Sequence, residues 1–239
     1  MKFAIVDLGS NTIRLSVYNT LPEGGFDLLF SEKEMAGLVS YVHGGVLSPE
    51  GIQRACGAIR DFQALLRQFD LDAPHVFATA SLRNIRNTEE AVEQIRAATG
   101  VGVDVISGEL EARLGYYGAR TATDLQDGAM FDIGGGSAEV LEVRAGEALK
   151  IANDWYEKPA GNRILTPAEV RRLTKLLLKR DHQARKLILR HCPDRVHTIL
   201  PGIVLMDALT EALCEGELYI SPYGVREGYL CHKLLNAGT

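Results

Sequence analysis

Two short stretches of this 239-residue chain carry the residue types that handle phosphate. One reads Asp7-Leu8-Gly9-Ser10-Asn11-Thr12, the other Asp132-Ile133-Gly134-Gly135-Gly136-Ser137. With Asp7 laid over Asp132, they give one pattern twice: apolar strand, Asp-aliphatic-Gly, small polar turn with a hydroxyl, second strand. Glycine lets main-chain N–H groups approach a phosphate with no side chain between, and it tolerates positive φ. Ser10, Asn11, Thr12 and Ser137 add donors. An aspartate with its reference pKa near ~3.9 is ionised at pH 7. It repels phosphate directly but can hold Mg²⁺, or the waters of Mg²⁺, between itself and the anion. A single such hairpin says little, because Asp caps many tight turns; the internal repetition makes phosphate the stronger reading.

Four more residues could join this chemistry. Glu139 follows the second turn at the offset at which Arg14 follows the first, so the hairpins are expected to present opposite charges to one site. Arg83 offers a planar fork suited to phosphate oxygens. Glu111 could orient and deprotonate a water, the need of phosphoryl transfer to water. Taken alone, Glu111 reads as part of a solvated helix face and Arg83 as a surface or salt-bridging arginine. His191 and His197 flank Cys192 without a metal-site spacing. Arg171, Arg172, Lys175, Lys179 and Arg180 form the solvated side of an amphipathic helix or, in a second reading, a track for a long polyanion.

Elements must position these groups. Residues 2–6 are a branched apolar run, and Ile13, Leu15 and Val17 alternate with polar neighbours, which predicts strand, tight turn, strand. Residues 26–30 predict a third strand. Ser48-Pro49-Glu50 opens a helix with Pro at its first position. Residues 75–78 read as a strand. Asn87-Thr88-Glu89-Glu90 fits a capping box that opens a helix over 90–98, ended by Gly100. A strand over 101–106 and a helix over 110–119, carrying Glu111, follow. Strands at 129–131 and 138–143 flank the second hairpin. After a loop over 155–163, Thr166-Pro167-Ala168-Glu169 is a second capping box; helices over 183–190, 198–213 and 225–235 and a short strand over 218–220 complete the chain. Alternating strands and helices imply an α/β layered fold.

The composition narrows the function classes. The net charge is −5 and no basic run is long enough to make nucleic acid the main partner. No segment approaches the ~20 apolar residues of a membrane span, and the N-terminal apolar run is too short for a signal-peptide core. A cytoplasmic protein away from the membrane is expected. Four cysteines with no Cys-x-x-Cys spacing fit reduced thiols.

The two hairpins resemble those of the exopolyphosphatase/guanosine pentaphosphate phosphohydrolase (Ppx/GppA) family. Ala78-Thr79-Ala80-Ser81-Leu82-Arg83 with Asn87 is similar to that family's Thr-Ser-Ala-x-Arg…Asn segment, with the Ser and Ala order reversed. Residues 106–114, Ile-Ser-Gly-Glu-Leu-Glu-Ala-Arg-Leu, resemble its Ser-Gly-x-x-Glu-Ala-Arg-Leu segment. Residues 221–228 resemble its C-terminal Ser-x-x-x-x-Arg-Glu-Gly. The resemblance implies an actin-like, ribonuclease-H-like two-lobe fold with the second lobe reduced, since no counterpart of the family's Gly-Thr-Gly-Gly-Thr segment is found. The first lobe is expected over residues 1–124, with the helix over 225–237 packing back on it, and the second over 125–239.

The resemblance further implies hydrolysis of a terminal phosphate from inorganic polyphosphate or guanosine pentaphosphate, in a cleft with Mg²⁺. Glu111 takes the position of the base, and Asp132 and Glu139, with Asp7, those of the metal ligands. Gly9, Ser10, Asn11, Thr12, Arg14, Arg83, Asn87, Gly134, Gly135, Gly136 and Ser137 take phosphate-binding positions. A non-catalytic sensor of polyphosphate or guanosine tetra- and pentaphosphate is the alternative, and an actin-fold ATPase or kinase a further one. The sequence sets no oligomeric state and allows a homodimer.

Overall fold

The computed structural model describes residues 1–123, 145–193, 196, 199–214 and 216–235. The chain divides into two compact units, Met1–Gly115 with Val225–Thr239, and Tyr116–Gly224.

The first unit is built on β1 (Lys2–Leu8), β2 (Ile13–Thr20), β3 (Phe26–Glu34), β6 (His75–Ala78) and β7 (Val103–Val105). The sheet order is β3-β2-β1-β6-β7. β1, β2 and β3 form an antiparallel meander, while β6 and β7 add in parallel. Between them lie the small hairpin of β4 (Val42–His43) and β5 (Val46–Leu47), then helix α1 (Pro49–Gln68). α2 (Ala80–Arg83) and α3 (Thr88–Thr99) follow β6, and α4 (Gly108–Arg120) follows β7.

Strand alternation sorts the side chains onto two faces. Ala4, Val6, Leu8, Ile13, Leu15 and Val17 pack with Ile52, Ile59, Phe62 and Ile95 of α1 and α3. Ile5, Tyr18 and Phe77 turn the other way, onto Leu114 of α4 and onto Tyr229 and Leu230 near the C-terminus. Asp7 and Arg14, in phase with Ile5 and Tyr18, belong to this second face. The C-terminal segment is α9 (Val225–Tyr229), which runs on as a π-helical turn, Leu230–Leu235. Gly228 lets it come against α4, because a Cβ there would overlap the Leu114 carbonyl. Phe77 stacks on Tyr229 with ring centroids 4.8 Å apart.

The second unit holds α5 (Ala145–Trp155), β8 (Ile164–Leu165), α6 (Pro167–Leu178), α7 (His182–His191), α8 (Ile199–Leu213) and β9 (Leu218–Tyr219). β8 and β9 pair antiparallel. Leu149, Ile151, Leu165, Leu173, Leu177, Ile188, Ile203 and Met206 make its core.

Most element expectations hold, with boundary shifts. The Ser48 cap forms, its hydroxyl accepting from the Gly51 N–H. Thr166 and Glu169 make the full capping box, and Gly100 ends α3 at φ 76°. The capping box expected at Asn87 does not form: Asn87 is the N-cap of α3 but its side chain makes no cap bond. That amide is used elsewhere, as described below. β3 runs on to Glu34, and β7 is shorter than expected. α5 was not expected. The strands expected at 129–131 and 138–143 lie outside the described residues, as does His197.

Candidate functional site

The first hairpin has the register Asp7↔Arg14 and Leu8↔Ile13, and closes through Gly9, Ser10, Asn11 and Thr12. Only glycine fits at position 9, since an added Cβ would lie 2.7 Å from the Thr12 carbonyl oxygen. The turn is braced from behind. Gly37 and Val39 donate their N–H groups to the Asn11 and Ser10 carbonyls at 2.8 and 3.0 Å. Ser10 and Thr12 are buried, and the Thr12 hydroxyl donates to the Met35 sulfur at 3.5 Å. Bracing of this kind fixes the main chain before any ligand arrives, so binding need not order the loop.

A second segment docks onto this turn. β6 lies parallel to β1, with Ala78 beside Leu8. The chain then turns into α2, and the buried Ser81 hydroxyl donates to the Leu8 carbonyl, immediately before Gly9. Two residues on, Arg83 ends α2. Its Nη1 donates to Glu111 Oε2 at 2.7 Å and to the Ile106 carbonyl at 3.0 Å. Glu111 stands in the first turn of α4, where the partial positive charge of a helix N-terminus favours an acid. The Ser107 hydroxyl accepts from the Leu110 N–H and holds that helix start. The structure therefore brings Gly9, Ser81, Arg83 and Glu111 into one connected set. The Arg83 and Glu111 side chains keep 26% and 30% exposure, so both are reachable by solvent and by a ligand.

Asn87 is occupied otherwise. Its amide NH₂ donates to the Leu47 carbonyl at 3.0 Å and its oxygen accepts from the Leu47 N–H at 2.9 Å. The side chain thus mimics a strand neighbour for β5. Thr88 closes the same corner, its hydroxyl donating to the Leu82 and Ile85 carbonyls. Asp132, Gly134, Gly135, Gly136, Ser137 and Glu139 lie outside the described residues. Among the described residues no group of three or more His, Cys, Asp or Glu could hold a metal. Of the expected Mg²⁺ ligands only Asp7 is described; carboxylate oxygen is the donor type that Mg²⁺ takes.

One buried polar pair escaped the sequence reading. The Tyr18 hydroxyl donates to Glu227 Oε1 at 2.5 Å, with Tyr18 fully buried and Glu227 4% exposed. Burial first, then the charge of Glu227, pushes the Tyr18 hydroxyl well above the usual tyrosine range. Beside it, Arg226 donates to the Ser16 hydroxyl at 3.2 Å. The Arg-Glu-Gly segment flags this corner in the sequence, but nothing local points to Tyr18. The four cysteines form no disulfide, and no described helix is long and apolar enough to cross a membrane.

The sequence matches the Ppx/GppA phosphatase family over residues 17–152 and 149–237. It is 34% identical over 196 residues to an uncharacterized protein of Streptomyces coelicolor, covering 77% of this chain and 57% of that one. The chain thus spans little more than half the length of that curated relative. In fold it is similar to an exopolyphosphatase from Cytophaga hutchinsonii, with a TM-score of 0.80, 16% identity, and 99% and 98% of the two chains covered. It is likewise similar to the Ppx/GppA family member of Aquifex aeolicus, at a TM-score of 0.75 and 18% identity over 100% and 99% of the two chains. The fold is the actin-like α/β fold of those structures, and the chain belongs to the Ppx/GppA phosphatase family.

Proposed function

We propose that the chain is a Mg²⁺-dependent phosphohydrolase that releases the terminal phosphate of inorganic polyphosphate or guanosine pentaphosphate. The observation that carries this reading is the Arg83–Glu111 ion pair at 2.7 Å, tied through Ser81 to the base of the Gly9 hairpin. Phosphoryl transfer to water requires positive charge on the phosphoryl oxygens and an oriented, activated water. Arg83 supplies the first, with N–H groups directed at the phosphate. Glu111 supplies the second, accepting the proton of the attacking water at a carboxylate oxygen. The turn at Gly9, Ser10, Asn11 and Thr12 holds the anion through main-chain N–H groups, and we assign Gly134, Gly135, Gly136 and Ser137 the same part. Arg14, on the sheet face of Asp7, adds positive charge. Asp7, Asp132 and Glu139 would hold Mg²⁺, which neutralises phosphate charge when bound. Asn87, with both amide atoms on Leu47, positions the neighbouring loop in this scheme.

The substrate class is supported by the family and by the exopolyphosphatase likeness in fold. A phosphate-release panel with long polyphosphate, short polyphosphate, guanosine pentaphosphate and ATP, each with and without Mg²⁺, tests it. Release from polyphosphate or guanosine pentaphosphate that needs Mg²⁺ is expected. Tight binding with no turnover on any of them would make the protein a sensor, and faster turnover of ATP would make it another kind of actin-fold enzyme.

A further inference from the structure

Helix α8 is apolar on two sides, and the core of the second unit uses one of them. Ile199, Ile203 and Met206 are buried in that core. The other side runs from Pro201 to Leu213 through Val204, Leu205, Ala208, Leu209 and Ala212, apolar at every helical repeat. Val204 and Leu213 are 42% and 49% exposed. Pro201, Ala208 and Ala212 are exposed as well, and Leu205 and Leu209 are half-buried. The stripe is about 18 Å long at the helical rise. Apolar residues scattered singly on a surface are ordinary, whereas a continuous stripe marks a contact.

The flank of the stripe carries charge that complements itself. α6 and α8 lie antiparallel. The Thr174 hydroxyl donates to the Ile203 carbonyl at 3.4 Å, while Arg171, earlier on α6, meets Glu211 at 2.7 Å and Asp207 at 4.0 Å. Lys175, next to Thr174, therefore stands near the level of Ile203. It is exposed, and among the described residues no carboxylate lies within ion-pair distance of it. Asp207 is the midpoint of the stripe between Pro201 and Leu213. A two-fold rotation about an axis through that point, across the helix, lays a second α8 antiparallel on the first. Leu205 then faces Leu209 of the second copy, and Pro201 faces its Leu213. Glu211 of the second copy comes to the level of Ile203, beside Lys175, and the two helix dipoles oppose one another.

We infer that this face of α8 joins two copies of the chain in an antiparallel, two-fold dimer. A two-fold contact is the commonest in soluble oligomers and needs one surface to complement itself. The stripe, with Lys175 and Glu211 on its flank, meets that need. A lipid surface suits it less, because helices that lie in a membrane interface carry Lys and Arg on their polar side. α8 holds neither; its charges are Asp207 and Glu211. Two stripes with their α6 flanks bury on the order of 1,000 Å² in total, the low end for a specific interface. The dimer is accordingly of micromolar strength and forms with rising concentration. The inference stands apart from the function proposed above.

Sedimentation of the full chain, from sub-micromolar to several hundred micromolar, tests it, and a monomer–dimer equilibrium is expected. Ala208→Glu sets a carboxylate close to the axis, where docking would bury it unpaired, and should weaken the dimer at least about a hundredfold. Position 208 is exposed in the single chain, so thermal unfolding of the variant monomer should match the parent. Leu28→Glu, at a comparably exposed apolar position on β3, should leave the dimer unchanged. Lys175→Glu and Glu211→Lys should each weaken it about two- to fivefold, and their combination should recover most of the loss. A monomer over the whole range would overturn the inference, as would a dimer that Ala208→Glu leaves intact or that Leu28→Glu weakens equally. Losses that simply add in the Lys175→Glu, Glu211→Lys combination would remove the antiparallel arrangement. Co-sedimentation of a monomeric parent with phosphatidylserine–phosphatidylcholine vesicles, abolished by Ala208→Glu, would make the stripe a lipid contact instead.

Discussion

Glu111→Gln separates the two things the Glu111 charge does. The substitution keeps side-chain shape and removes both the basic oxygen and the negative partner of Arg83. The ion pair is short, 2.7 Å, but 26% and 30% of its side chains are exposed. Pairs with that much solvent are worth about 0–1 kcal/mol. Arg83 also keeps its 3.0 Å bond to the Ile106 carbonyl, and the glutamine oxygen still accepts. The variant should therefore fold with nearly the parent stability. The chemical step is another matter, since a positioned base contributes about 10²–10⁴ in rate, or about 2.7–5.4 kcal/mol of barrier at 1.36 kcal/mol per decade. kcat for phosphate release should fall by that factor. Substrate affinity should hold or tighten, because the Arg83 guanidinium no longer shares its charge with a carboxylate. Phosphate release at saturating substrate, calorimetric titration and thermal unfolding read the three quantities independently. A kcat within about threefold of the parent would end the assignment of Glu111 as base. A large loss of stability with a parallel rise in KM would instead make Glu111 a strut for Arg83.

Two other perturbations test how the neighbourhood is held. Asn87→Ala removes two part-buried hydrogen bonds to Leu47, each worth about 0.5–1.5 kcal/mol. Unfolding free energy should drop by about 1–3 kcal/mol with phosphate affinity unchanged, measured by urea titration beside calorimetry; a loss of affinity at constant stability would return Asn87 to the phosphate contacts. Tyr18→Phe leaves the ring in its edge-on contact with Phe26 and deletes the donor to buried Glu227, a hydrogen bond to a charged group worth about 1.5–3 kcal/mol. The same residue sets an alkaline limit. Its folded pKa is raised, so its stabilising contribution is full below the unfolded value near ~10 and declines as pH climbs past it. Urea titrations from pH 8 to 11 should show the parent losing stability above that point, and more steeply than Tyr18→Phe. Parallel curves would mean that Tyr18 titrates alike in both states.

What the sequence discloses here depends on how far a residue's partner lies along the chain. Ser48 finds Gly51, Thr166 finds Glu169, and Gly9 turns on Thr12. Each is an arrangement of residues a few positions apart, legible from residue type and spacing. Helix α5 did not show in the same way, because its buried side, Ala148, Leu149, Ile151 and Ala152, includes two alanines and makes a weak apolar stripe beside a segment that reads as strand. Where the partner is remote, type alone misleads. Asn87-Thr88-Glu89-Glu90 satisfies the cap pattern, yet a cap would use one amide atom where Leu47, at a separation of 40, uses both. Tyr18 and Glu227 stand 209 positions apart, and no local signal joins them.

The candidate site mixes both kinds of contact. Its motifs mark Gly9, Arg83, Asn87 and Glu111 alike as phosphate chemistry. The contacts then divide them, since Arg83 reaches Glu111 while Asn87, close by in the same motif, is drawn to Leu47. Ser81, which the motif supplies without a role, becomes the joint between the arginine and the hairpin. A motif therefore delimits where chemistry can occur, and side-chain partners decide which of its members touch the substrate. Variants that move affinity, rate and stability by different amounts are what tell these roles apart.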